Sequence, residues 1–329
     1  MFLMNSDLGP IVNRGFLIEN GRIYCQINNS LKKIELLTSN LIKENSFEEK
    51  IDFQRIERLN TYLACFTTGQ ISFFDDNFIL KKIFESEYYE YQLFAEFFII
   101  RIIKSNYVEN IHNLVFHDLR EGIDLWEIET NEQIKFHSDF LFFVSPKVIR
   151  MRDFNNGESI WHLEIENALL FPELIGVSNK IAIFGLQKVD RLIAVNVDTG
   201  KVIWEKRAIT SGKLIDCEKG VLHSFLVNYT QLSIETGDEI SSCVNRDYFE
   251  TSGIETNRSN FVLIGDHIIT TDGKRGNIGA FNTITLKFDW LYTIEGVSLP
   301  AVFPVVYQDG YLCVLDNKQT LHIFEKENY

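Results

Sequence analysis

The chain has 329 residues, 45% of them hydrophobic, and its 46 acidic and 32 basic side chains give a net charge of −14. This charge argues against a nucleic-acid backbone or an anionic membrane as the main partner, and no apolar run approaches the roughly 18 residues of a membrane helix. Five cysteines without a Cys-x-x-Cys pair, and no visible secretory signal, predict a reduced cytoplasmic protein.

Eight apolar runs recur along the chain, and each opens a predicted strand. The span from residue 22 to residue 311 over seven steps gives a period of about 41 residues, which is typical of a four-stranded β-propeller blade. Several runs, such as FLFFV at residues 140–144, are continuously apolar, so we expect both faces of the strand to be covered. The runs start near Arg22, Tyr62, Phe97, Phe140, Ile181, Val221, His267 and Tyr311.

This period predicts an all-β fold in which residues 1–329 form a single β-propeller domain of eight blades. Seven blades remain possible if the first and last units share a blade. The last unit stops before its outer strand, so we expect residues 1–5 to close it by pairing beside residues 321–326. At residues 45–59, Ser46 and Glu49 have capping-box spacing, and a short helix is the alternative there.

The clearest hairpin pattern is AVNVDTGKVIW at residues 194–204. Gly200 can adopt the positive φ of a tight turn, and Trp204 brings a large ring that must be buried outside its own hairpin. The hairpin therefore needs a neighbouring unit. Partial copies lie at Gly122 and Trp126, at Gly157 and Trp161, at Leu286 and Trp290, and at Gly237, where Ser241 replaces the tryptophan.

These hairpins resemble the PQQ-like β-propeller repeat, with the pattern Ala-x-Asp-x-x-Thr-Gly-x-x-x-Trp. No Trp-Asp dipeptide or Gly-His pair favours the WD class instead. The resemblance implies the propeller scaffold. Quinone-dependent dehydrogenases of this type carry adjacent cysteines and a calcium-binding set of acid and amide side chains. This chain has no Cys-Cys pair, so we expect no cofactor.

No catalytic or metal-binding spacing stands out in the sequence. The seven histidines are scattered without His-x-His or His-Glu-x-x-His spacing. Gly273, Gly276 and Gly279 read as a loop between strands. We therefore predict no catalytic, cofactor or metal residues, although a central channel could gather ligands from distant blades. An enzyme or small-ligand binder using that channel is the alternative function.

Three segments exceed what a blade requires: residues 84–96, 104–110 and 245–260. They place aromatic side chains beside acids, as the centre and rim of a protein interface do. We predict a monomeric, non-enzymatic scaffold that binds another protein, as an immunity protein of the antitoxin type that binds a basic partner or as an assembly factor. The predicted contacts are Tyr88, Tyr89, Tyr91, Tyr107, Tyr248 and Phe249, with Glu87, Glu90, Glu109 and Asp247 at the rim.

Overall fold

The described part of the chain is made of strands. No helix in it is long and apolar enough to span a membrane. The computed structural model describes residues 2–10, 16–36, 38, 40–48, 53, 55–59, 62–67, 70–85, 91–94, 98–106, 111–118, 121–137, 139–166, 170–186, 190–208, 212–225, 228–244, 252–254, 261–300 and 305–326.

The chain divides into two compact units, a terminal unit of residues 1–85 and 245–329 and a middle unit of residues 86–244. The terminal unit begins with β1 (Phe2–Pro10), β2 (Phe16–Glu19), β3 (Arg22–Ile27), β4 (Ser30–Glu35), β5 (Leu41–Ser46), β6 (Arg55–Leu59), β7 (Tyr62–Thr67), β8 (Gln70–Phe74) and β9 (Leu80–Glu85). The middle unit contains β10 (Tyr91–Phe94), β11 (Phe98–Asn106), β12 (Ile111–Asp118), β13 (Ile123–Thr130), β14 (Gln133–His137), β15 (Phe140–Ser145), β16 (Val148–Arg152), β17 (Ser159–Glu164), β18 (Glu173–Ser178), β19 (Ile181–Leu186), β20 (Arg191–Asn196), β21 (Val202–Arg207), β22 (Lys213–Asp216), β23 (Val221–Phe225), β24 (Asn228–Ser233) and β25 (Glu239–Val244). The terminal unit resumes with β26 (Phe261–Ile264), β27 (His267–Thr271), β28 (Asn277–Asn282), β29 (Lys287–Thr293), β30 (Val305–Gln308), β31 (Tyr311–Leu315) and β32 (Thr320–Lys326).

Within the described residues, these strands form eight four-stranded antiparallel sheets, four in each unit. Seven sheets are simple meanders, from β2–β5 to β26–β29, and the eighth has the order β1-β32-β31-β30. The second strands begin at the predicted residues; β11 begins at Phe98, one residue after the predicted start. The all-β fold of four-stranded sheets is confirmed. A single domain, and eight rather than seven blades, stay predictions.

The N-terminal strand β1 pairs antiparallel with β32, which confirms the predicted closure of the last sheet. Leu3 lies opposite Glu325, and Met4 lies opposite Phe324. The pairing extends to Pro10, well beyond the predicted residues 1–5.

The alternative of a short helix at residues 45–59 is wrong at both ends. Asn45 and Ser46 end β5, and Arg55–Leu59 is β6. Between them, the side chain of Phe53 is only 1% exposed, and its N–H donates to Oε1 of Gln26, 2.7 Å away. Burial and strand pairing thus outweigh the local capping pattern, because a two-residue signature is worth little against a sheet.

In the middle unit, each of three outer strands carries a tryptophan whose indole N–H donates a hydrogen bond to the next sheet. Nε1 of Trp161 donates to the carbonyl oxygen of Val197 over 2.6 Å. The same bond joins Trp126 to Phe154 over 2.7 Å and Trp204 to Ile234 over 2.8 Å. Each indole satisfies its polar group while its ring fills the space between sheets. Trp204 is half-buried, as its need for a neighbouring unit predicted.

Candidate interaction surface

A β-bulge recurs where each outer strand of the middle unit begins. In the β16–β17 pair, Met151 lies opposite Trp161 and Arg152 lies opposite Ser159, which leaves Ile160 as the extra residue. The same irregularity occurs in the β12–β13, β20–β21 and β24–β25 pairs. Bulges redirect side chains and are built features of a sheet. The extra residues are Leu125, Ile160, Ile203 and Ile240.

Three of these bulge residues expose an aliphatic side chain. Ile160 is 50% exposed, Ile203 42% and Ile240 55%. Trp161 and Trp204 turn inwards to the next sheet, so Ile160 and Ile203 turn outwards, and Ile240 has the same place before Ser241. The result is one isoleucine at the same position of three consecutive sheets, here called the bulge row.

Acidic side chains flank the bulge row. Exposed Glu158 precedes Ile160, and exposed Asp238 and Glu239 precede Ile240. At the intervening sheet, Asp198 is paired with Lys180 over 2.8 Å, so its charge is partly compensated. The row is therefore flanked by exposed acids beside Ile160 and Ile240, whereas the position equivalent to Glu158 and Asp238 beside Ile203 is the exposed Lys201.

The predicted contact residues fall almost entirely outside the described residues. Tyr91 opens β10, the first strand of the middle unit. The others, namely Tyr88, Tyr89, Tyr107, Glu109, Asp247, Tyr248 and Phe249, and the rim residues Glu87 and Glu90, lie outside the described residues.

A short described part of the long segment at residues 245–260 packs against β28 within the terminal unit. The side chain of Ile254 is 1% exposed and lies against Gly279, where an added Cβ would come within 2.6 Å of it. The carbonyl oxygen of Gly253 accepts a hydrogen bond from Nδ2 of Asn277 over 2.7 Å. This segment is thus tied to β28 by both apolar and polar contacts.

A buried polar group occupies the β22–β25 sheet, at positions that are apolar in the β18–β21 sheet. His223, 1% exposed, shares a hydrogen bond of 2.9 Å between Nδ1 and Oη of Tyr229, while its Nε2 has no partner among the described residues. Burial lowers the pKa of His223 to about 4, so the ring is neutral near pH 7. On the other face, Nζ of Lys213 donates to Oγ of Ser224, and burial lowers the pKa of Lys213 to about 8.

Other reactive side chains show no assembled site in the described part. No group of three or more histidine, cysteine, aspartate or glutamate side chains is placed there to hold a metal ion. Cys25, Cys65 and Cys313 are fully buried on β3, β7 and β31, as small core residues should be. Burial raises the pKa of Cys25 and Cys313 to about 12, which keeps them as unreactive thiols.

The bulge row was not foreseen from the sequence, although a signal for it exists. Ile160 and Ile203 each stand directly before a repeat tryptophan. On a strand whose tryptophan is buried, the preceding residue faces away from the core. Ile160 and Ile203 are accordingly exposed, and Leu125, before Trp126, is half-buried. The polar pairs of the β22–β25 sheet join residues from different strands, and only the strand register brings them together.

No family model and no curated protein matches the chain. Among solved structures, it is similar to BamB from Moraxella catarrhalis, with 11% identity, a TM-score of 0.68 and 99% of this chain and 100% of that chain covered. It is also similar to Sqt1 from Saccharomyces cerevisiae, with 9% identity, a TM-score of 0.66 and 99% of this chain and 98% of that chain covered. A europium-containing methanol dehydrogenase is similar too, with 8% identity, a TM-score of 0.63 and 99% of this chain and 92% of that chain covered. These neighbours are β-propellers, and BamB and the dehydrogenase are of the PQQ type. The chain thus has the β-propeller fold.

Proposed function

We propose that this β-propeller is a non-enzymatic scaffold that binds another protein. The observation that carries the proposal is the bulge row, in which Ile160, Ile203 and Ile240 are each about half exposed at one repeated position. Single exposed aliphatic residues are ordinary, but a row of them at equivalent positions marks an interaction surface. A partner that covers the row removes this apolar area from water.

The net charge of the chain supports a partner with a basic surface. With 46 acids against 32 bases, the protein attracts a basic surface and repels an acidic one. We propose a partner whose apolar patch is rimmed by lysine or arginine, because opposite charge speeds encounter and fixes orientation. A cytoplasmic immunity protein that blocks a basic toxin, or an assembly factor, is the narrower form of this proposal.

The experiment compares capture of the partner by native and variant chains. The tagged protein is expressed in its own cells, cross-linked and purified, and bound proteins are identified by mass spectrometry. The double variant Ile160→Glu with Ile203→Glu places two carboxylates in the bulge row. We expect recovery of the partner to fall by at least about tenfold, since each buried carboxylate opposes binding.

Ile284→Glu is the matched control, because Ile284 is 70% exposed in a turn outside the bulge row. This variant should retain the partner. Both variants should keep the native thermal midpoint, since they change exposed side chains. Equal capture by the double variant and the native chain would remove the bulge row from the binding surface. If the native chain captures no protein specifically, the proposed function is refuted.

Aromatic residues of the three long segments are further proposed contacts of the partner. Tyr88, Tyr107 and Tyr248 come from three different long segments, and tyrosine supplies large contact area at low entropic cost. Replacing all three by alanine, in a chain with an intact bulge row, measures their share of the binding separately.

Lys213 favours one further candidate function, the binding of a small ligand. Its amine donates to Ser224 and has no carboxylate partner among the described residues, which leaves its charge uncompensated. A carboxylate or phosphate group would supply the missing counter-charge. This alternative is tested by titrating the protein with inorganic phosphate and following the Lys213 amine by NMR. The same titration of the Lys206→Met variant is the control.

A further inference from the structure

β25 differs from the other outer strands described in the middle unit. β13, β17 and β21 carry the tryptophans Trp126, Trp161 and Trp204, each bonded to a carbonyl of the next sheet. β25 has Ser241 at the equivalent position, and its hydroxyl donates to Oε1 of Gln231 in the same sheet over 2.8 Å. β25 therefore lacks the tryptophan anchor and lies at the outer end of its sheet.

The second half of β25 also lacks the charges that protect outer strands. β21 continues from its tryptophan with Glu205, Lys206 and Arg207, whereas β25 continues with Ser242, Cys243 and Val244. Charged side chains, lysine above all, discourage a further strand from pairing at an exposed edge. Serine and valine accept such pairing, because they are small or β-branched and carry no charge.

The first half of β25 selects which strand can pair there. Glu235 and Asp238, in the turn before the strand, and Glu239, its first residue, are all exposed. Ile240 adds an aliphatic side chain that is 55% exposed. A strand that pairs along β25 meets three acids at one end, where Nζ of Lys206 donates to the carbonyl oxygen of Gly237 over 3.1 Å, and an uncharged stretch at the other. A second copy of this chain is disfavoured, since both copies carry a net charge of −14.

We propose that β25 accepts an extended segment of the partner protein as a fifth, antiparallel strand, with lysine or arginine at the C-terminal end of that segment. In antiparallel pairing, that end lies beside Glu239. Main-chain hydrogen bonds along the edge provide affinity, and the terminal charges set the direction. This inference rests on the proposed protein-binding function and gives it a specific binding mode.

The test uses the full chain and short synthetic peptides of alternating valine and threonine. One peptide carries a lysine cluster at its C-terminal end, and the matched control carries the same cluster at its N-terminal end. Binding is followed by fluorescence anisotropy, and pairing is followed by amide hydrogen exchange of residues 239–244. We expect the C-terminal lysine peptide to bind at least about tenfold more tightly and to slow exchange in β25.

Ser242→Lys adds a charge to the exposed edge and should weaken that binding at least about tenfold. His162→Lys adds the same charge to an exposed position of β17 and should leave the binding as it is. The inference is overturned if both peptides bind alike, if exchange in β25 is unchanged, or if Ser242→Lys binds as tightly as the native chain. A different result is that the double variant Ile160→Glu with Ile203→Glu loses the native partner while Ser242→Lys still captures it. That result would support the proposed function and refute this binding mode.

Discussion

Trp161 lies directly over Gly200 of the next sheet: a Cβ added at Gly200 would come within 2.7 Å of the indole ring. A Cβ added at Gly157 would likewise come within 2.6 Å of the Trp126 ring, and one added at Gly237 within 2.7 Å of the Trp204 ring. All three glycines have positive φ, so they close a turn and make room for a ring at the same residue. This double role explains why the repeat pairs a turn glycine with a tryptophan.

Gly200→Ala should destabilise the protein by about 2–4 kcal/mol, because the new methyl group meets the Trp161 ring and the residue has φ of 70°. The matched control is Gly220→Ala, where φ is 65° and nothing lies within 4 Å of the new Cβ. The control retains backbone strain alone and should cost about 1 kcal/mol. Urea unfolding measures both. Equal losses in the two variants would mean that the ring contact adds nothing.

Trp204→Ala removes a half-buried ring and its hydrogen bond to Ile234 and should cost about 2–4 kcal/mol. Trp204→Phe keeps most of the ring and leaves the carbonyl oxygen of Ile234 without this donor, so it should cost about 1 kcal/mol. Chemical denaturation separates the two terms. A cost below about 1 kcal/mol for the alanine variant would contradict the anchoring role of the indole.

Stability should fall as the pH decreases from 6.5 towards 4, because burial lowers the pKa of His223 from 6.5 to about 4. In this window the unfolded chain takes up a proton on the imidazole and the folded chain does not, so acid favours unfolding. The loss should reach about 2–3 kcal/mol. His223→Gln should flatten this part of the pH profile in urea unfolding. His162→Gln, which changes an exposed histidine, is the control and should retain the slope.

In the native protein, the rate at which each cysteine reacts with a thiol reagent should depend on its burial. Cys217 is exposed and should react within minutes, whereas the fully buried Cys25, Cys65 and Cys313 should react only on unfolding. Mass spectrometry of the labelled peptides measures each site. Rapid labelling of Cys65 in the native protein would show that β7 is not a core strand.

The sequence predicted the strand framework because the information lies in local runs. Tyr62, Phe140 and Val221 begin their strands where the apolar runs begin, since a continuous apolar run between turn residues has few alternatives to a covered strand. The segment around Ser46 was predicted wrongly because its spacing fits a helix locally, while Phe53, in the link between β5 and β6, is held by Gln26 of β3, which is distant in sequence. Such a contact has no local signature.

The candidate surface was harder to predict because it depends on strand register. Ile240 is exposed through an irregularity between β24 and β25, and no single strand encodes that pairing. The contact of His223 with Tyr229 likewise joins two strands. The aromatic residues chosen from composition, such as Tyr88 and Tyr248, rest on residue type alone and stay predictions.

The pairing of β1 with β32 sets an order on biosynthesis. Residues 2–10 leave the ribosome long before their partner, residues 320–326, because the intervening chain has to be made in between. Until then, β1 lacks the strand with which it pairs, and the sheet that both strands share has an unprotected edge. Translation speed and chaperone access while residues 320–326 are being made should therefore govern how often this sheet is completed, and a ribosome that stalls before them would leave β1 available to other nascent chains.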